Sequence, residues 1–82
     1  MSKMSSKEIY NNIFMQTFSL SENQLNGDLK YNAVPDWDSI GHMTIVAELE
    51  DKFNVSMETD DIVDFSSYQK GLEILAKYGI QF

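Results

Sequence analysis

With 82 residues, the chain has room for one small domain, residues 1–82, near the lower size at which a single hydrophobic core suffices. It contains no cysteine, which excludes disulfides and thiolate metal sites and leaves packing among a few helices as the source of stability. A formal net charge of -7 argues against nucleic acid and anionic membrane as partners and favours basic protein surfaces.

The N-terminal run Met1-Ser2-Lys3-Met4-Ser5-Ser6-Lys7 lacks the apolar stretch of a signal peptide, and Ile9 to Leu20 is interrupted by asparagine, glutamine and threonine. No segment approaches the roughly 18 apolar residues of a membrane span. A cytoplasmic protein without membrane insertion is expected, and no repeat, low-complexity tract or linker divides the chain.

A first helix is expected over about 6–19, where Ile9, Ile13 and Phe14 recur at helical spacing with Tyr10, Thr17 and Phe18 beside them. Its β-branched and aromatic content lowers intrinsic propensity, so tertiary contact must hold it. Leu20 to Trp37 reads as a long connection with Asn23, Asn26-Gly27-Asp28 and Asn32 as turn formers and a helical turn near Ser21 to Leu25. Leu20, Leu25, Leu29, Tyr31 and Val34 are too apolar for a solvated tether, so the connection is expected to pack across the helices.

A second helix is expected over 39–53. At 100 degrees per residue, Met43, Ile45, Val46, Leu49 and Phe53 form the inward stripe, with His42 in its arc. Ile40 and Ala47 fall to one side with Thr44 and Asp51, so this lateral patch either meets a partner or lets Ile40 pack beneath the long loop. Glu48 and Lys52 form a favourable i,i+4 pair.

A short third helix is expected over 59–64, with Thr59, Asp60 and Asp61 at its start and Ile62, Val63 and Phe65 as apolar anchors. Ser66 and Gln69 read as a capping box for a fourth helix over 67–78. There Tyr68, Leu72, Leu75 and Tyr78 repeat, Gly71 permits close approach, and Gly79 stops the helix. Ile80 and Phe82 are expected to fold back over the end. The pattern predicts an all-α four-helix bundle with a long loop between helices 1 and 2.

The chemistry concentrates in Pro35-Asp36-Trp37-Asp38-Ser39-Ile40-Gly41-His42-Met43, where a polar loop becomes the second helix. Asp38 suits the N-cap, and Ser39 then falls on the first turn, beside free backbone N–H groups and the positive end of the helix dipole. A serine nucleophile would need a base and an orienting group, but the small helical chain offers one histidine, no strand for a nucleophile elbow and no room for a cleft. His42 reads as a partly buried helix residue or as a hydrogen-bond partner for a phosphate on Ser39. An EF-hand register through Asp36, Asp38 and Gly41 fails because Ile40 and Ala47 occupy ligand positions. Asp60, Asp61 and Asp64 read as a helix-start charge cluster rather than a cation site.

Asp38-Ser39-Ile40-Gly41, followed by Met43, Ile45, Val46, Leu49, Glu50 and Phe53, resembles the acyl and peptidyl carrier proteins, whose Asp-Ser-Leu motif opens the second helix. The resemblance spans nearly the whole chain in length and helix placement. It implies a non-catalytic carrier: a phosphopantetheinyl transferase attaches 4'-phosphopantetheine from coenzyme A to Ser39, next to the motif residue Asp38, using magnesium that the carrier does not hold. The thiol of that group bears acyl or aminoacyl cargo as thioesters. Partner ligases, synthases or transferases with basic patches would dock on the second helix, through Ile40, Met43, Thr44 and Ala47 with Glu50 and Asp51 as the acids. Gly41-His42 and Thr44 stand where bacterial fatty-acid carriers have acidic side chains, so the run from Trp37 to Met43 looks more like the free-standing carriers of specialised pathways. A monomer is expected. The rival reading is an unmodified acidic helical adaptor that binds a partner through Ile40, Met43 and Ala47.

Overall fold

Helix α1 (Ser6–Phe18) begins at a capping box: the Ser5 hydroxyl accepts from the Glu8 N–H and the Glu8 carboxylate accepts from the Ser5 N–H. The structure is a computed structural model that describes residues 4–82; positions 1–3 of the N-terminal run lie outside the described residues. Helix α1 ends at Ser19 in the left-handed conformation and buries Tyr10, Ile13, Phe14 and Phe18. Helices α2 (Ser39–Phe53), α3 (Thr59–Asp64) and α4 (Tyr68–Lys77) follow, with a 3-10 turn at Glu22–Gln24. Among the described residues there is no strand, and the architecture is an all-α four-helix bundle. The C-terminal end of α1 and both ends of α4 fall a residue short of the sequence expectation, because helix ends fray into their caps.

Aromatic rings fill the centre of the bundle. Trp37 is fully buried at the end of the α1–α2 connection, stacked on Phe18 at 5.2 Å and edge-on to Phe14 and Phe65. Leu29 is buried, and Leu20, Leu25 and Val34 pack partly against the core, so the connection does lie across the helices. Tyr31 departs from this expectation, because its ring stands at the surface with 38% of its area exposed.

The connection is also hydrogen-bonded to the start of α4. Tyr31 N–H donates to the Ser66 carbonyl, Tyr68 N–H donates to the Leu29 carbonyl, and Lys30 and Ser67 form an isolated antiparallel bridge. This pairing shifts the expected cap of α4 by one residue. The Ser66 carbonyl is taken by the Tyr31 N–H, and it is the extended Ser67 whose hydroxyl accepts from the Lys70 N–H. Gly79, at φ +92, ends α4, and Ile80 and Phe82 return over the bundle, the Phe82 ring lying 5.5 Å from Tyr10.

Along α2 the inward stripe is narrower than periodicity suggests. Ile45, Val46 and Leu49 are buried and Phe53 is half-buried, but Met43 is 58% exposed. Met43 lies at the edge of the apolar arc, where the neighbouring element is the short α3, and the two helices do not close over it. Val63 likewise anchors nothing: it is 74% exposed, while Phe65 enters the core and Ile62 is half-buried. Asp61 turns inward instead, accepting from Lys77 Nζ at 2.7 Å and from the Tyr78 hydroxyl at 2.5 Å, while Tyr78 itself accepts from the Glu58 N–H. A negative side chain thus ties α3 to α4. No helix among the described residues is long and apolar enough to cross a membrane.

Candidate functional site

The start of α2 is fixed by the residue before it. Asp38 is extended, its carboxylate accepts from the Gly41 N–H at 2.8 Å, and its carbonyl accepts from the His42 N–H. The N–H groups of Ser39 and Ile40 make no bond among the described residues, as expected for the first positions of a helix. Ser39 is the first helical residue and is exposed. Its hydroxyl lies 3.0 Å from that of Tyr31, and either oxygen can be the donor.

Beside Ser39, where the sequence predicts no room for a cleft, α2 and the short α3 part to leave a largely apolar one of about 450 Å³, with Met43, Ile62, Val63 and Phe65 as its apolar walls and Tyr31, Ser39, His42 and Ser66 on its polar side. The imidazole of His42 spans the base of this arrangement. Its Nδ1 faces the Trp37 indole N–H at 3.1 Å and its Nε2 faces the Ile62 carbonyl at 2.8 Å. Indole is a donor only and a carbonyl an acceptor only, so both bonds hold when Nδ1 is bare and Nε2 carries the proton. Both ring nitrogens are then engaged, which leaves none for Ser39 or for a phosphate upon it. His42 is a strut between the Trp37 loop and α3.

The lateral face of α2 is open. Ile40 is 80% exposed and does not pack beneath the loop, and Thr44, Ala47 and Asp51 are exposed beside it. The Thr44 hydroxyl donates back to the Ile40 carbonyl. Glu50 differs from the other residues of the expected docking surface: it is half-buried, and its carboxylate accepts from the Met57 N–H at 2.8 Å, holding the α2–α3 connection. Of the two acids, Asp51 is the exposed one.

Gly41 has a structural reason. A Cβ there would overlap the Asp36 backbone carbonyl and press on the Phe18 ring, so only glycine lets the loop pass this close to α2. Among the three α3 acids, Asp61 is engaged with α4; hydrogen bonds from Lys77 and then Tyr78 hold its carboxyl below the usual range despite its burial, and Asp61 in turn raises Lys77. Among the described residues no three His, Cys, Asp or Glu side chains gather as a metal site.

Sequence reasoning had no access to the Tyr31–Ser39 contact, to the Trp37–His42–Ile62 chain or to Val63 and Ser66 on the cleft. Each depends on how an irregular loop and a short helix lie against α2, which periodicity does not encode. Set against family models, curated proteins and solved structures, the chain matches none.

Proposed function

We propose that this protein is a carrier domain, an acyl or aminoacyl carrier that bears 4'-phosphopantetheine on Ser39 and delivers cargo to partner enzymes of a specialised pathway. The observation that carries the reading is the placing of Ser39: an exposed hydroxyl on the first residue of α2, on the rim of an apolar cleft. A phosphate ester at this position meets the free N–H groups and the positive end of a long helix. The apolar walls of the cleft suit a flexible arm or its cargo. The resemblance of Asp38-Ser39-Ile40-Gly41 to the carrier motif supplies the identity of the group.

In the attachment step, Ser39 Oγ forms a bond to the pantetheine-side phosphorus of coenzyme A, and the pyrophosphate bond of that phosphorus breaks. Adenosine 3',5'-bisphosphate leaves, and the Ser39 proton passes to a base of the phosphopantetheinyl transferase, which also holds the magnesium. When bound, the group supplies a terminal thiol that carries acyl or aminoacyl cargo as a thioester. The protein's own part is delivery and address. Ile40, Met43, Thr44 and Ala47 with Asp51 form the docking face for a basic ligase, synthase or transferase, and Val63 extends it onto α3. The reading implies a cytoplasmic monomer, non-catalytic by itself.

The test is intact mass before and after incubation with coenzyme A, magnesium and a phosphopantetheinyl transferase of the source organism, with S39A in parallel. A gain of about 340 Da on the parent alone is the expected result. Folded parent that gains no mass would overturn the reading. The second reading, an unmodified adaptor, is favoured by the exposure of Ile40, Met43 and Val63 on adjoining helices. Under it, S39A would keep full function in cells.

A further inference from the structure

Tyr31 is a loop residue whose backbone is tied to the start of α4. Its N–H is bonded to the Ser66 carbonyl at 2.8 Å, the residue before it bridges to Ser67, and its ring stands edge-on to His42 at 5.8 Å. From this support its hydroxyl reaches Ser39 Oγ at 3.0 Å. We propose that Tyr31 is the positioning residue for a phosphodiester on Ser39, its hydroxyl changing from an interchangeable partner of the free serine into the fixed donor to the phosphate. This inference rests on the reading of Ser39 as the modified residue.

Proton bookkeeping requires the change. In the unmodified protein either hydroxyl can donate to the other. Once Oγ is bonded to phosphorus, Ser39 has no proton, so Tyr31 alone can donate. The ester oxygen is a poor acceptor, whereas the non-bridging oxygens beside it carry the charge. A phenol O–H bonded to such an oxygen is charge-assisted and roughly twice as strong as the neutral pair it replaces.

Other donors are few. The N–H groups of Ser39 and Ile40 are available from the backbone and the Ser66 hydroxyl lies on the cleft, but His42 has both nitrogens engaged, the Asp38 carboxylate can only accept, and no lysine or arginine lines the cleft. Tyr31 is the side chain whose hydroxyl already stands 3.0 Å from Ser39 Oγ. The phosphate therefore has no cation there, and beside the backbone N–H groups a neutral hydroxyl on a loop tied to Ser66 and Ser67 donates to it.

The experiment compares parent and Y31F, each unmodified and each loaded, with loading verified by intact mass. Thermal midpoints and the phosphorus-31 resonance of the loaded protein are the readouts. The change in midpoint on loading should be less favourable in Y31F by about 4 °C, and its phosphorus resonance should move from that of the parent. An equal midpoint change and an unmoved resonance in loaded Y31F would overturn the role of Tyr31 and leave the carrier reading standing. A parent that takes up no mass would overturn both.

Discussion

Asp38 and Ser39 are neighbours with different duties. The Asp38 carboxylate closes the first turn of α2 by accepting from Gly41, whereas the Ser39 hydroxyl reaches outward to Tyr31. D38A should therefore cost about 1 kcal/mol of stability, the usual loss of an N-cap, while S39A should cost about 0.5 kcal/mol, one exposed hydrogen bond. Urea unfolding of both variants measures the contrast, and an equal loss would make Ser39 a structural residue first. The cap was legible because Asp followed by a helical apolar pattern is a local signal. Tyr31 was not, because its hydroxyl reaches Ser39 only through the register between the long loop and Ser66.

Helix α2 illustrates where local and tertiary rules part. Helix propensity alone says that replacing Gly41 with alanine should gain about 1 kcal/mol. The approach of the Asp36 carbonyl says otherwise, since the added methyl meets backbone rather than a side chain that can swing away. G41A should destabilise by about 1–3 kcal/mol, seen as a lower urea midpoint with an unchanged slope. A raised midpoint would show that the loop yields easily. The same limit of local signals explains Met43: a 100-degree wheel locates the apolar arc of α2 but not the width of its neighbour, and α3 is too short to cover that side chain, while Val63, on α3 itself, stays 74% exposed. It also explains Glu50, whose partner Met57 lies beyond the helix end. Helix number, order and approximate bounds were legible, because long periodic segments with caps and a stopping glycine specify them; the lie of the loop and of α3 was not.

Across the whole molecule, charge bears on the proposed docking and on acid stability. If a partner approaches the lateral face of α2 electrostatically, D51K should slow loading by the transferase, and the difference from the parent should shrink as salt rises. Equal rates at low salt would remove Asp51 from the docking surface. The same reversal at Glu50 would be a poor probe, since it also releases the α2–α3 connection. The Asp61 carboxyl sits below its ordinary range through Lys77 and Tyr78. Its contribution is thus fully present above the unfolded value near pH ~3.9 and is lost as pH falls through the lowered folded value. D61N should reduce stability at neutral pH and flatten the loss on acidification below about pH 4, which urea midpoints across pH would record. An acid limb as steep as that of the parent would assign the acid sensitivity elsewhere.

The chain has a single tryptophan, and it lies where the loop, α1, α2 and α3 meet. Trp37 is therefore a native fluorescent reporter of the ground beneath Ser39, with no label required. Because its ring is packed on Phe14, Phe18 and Phe65 and its N–H is held by His42, its emission should shift to the red at the same urea concentration at which helical dichroism is lost. An emission change at lower urea would reveal a site that opens ahead of the bundle. Coincidence of the two would mean that the loop beside Ser39 is as durable as the helices, and that, on the carrier reading, a partner enzyme would meet one preformed surface.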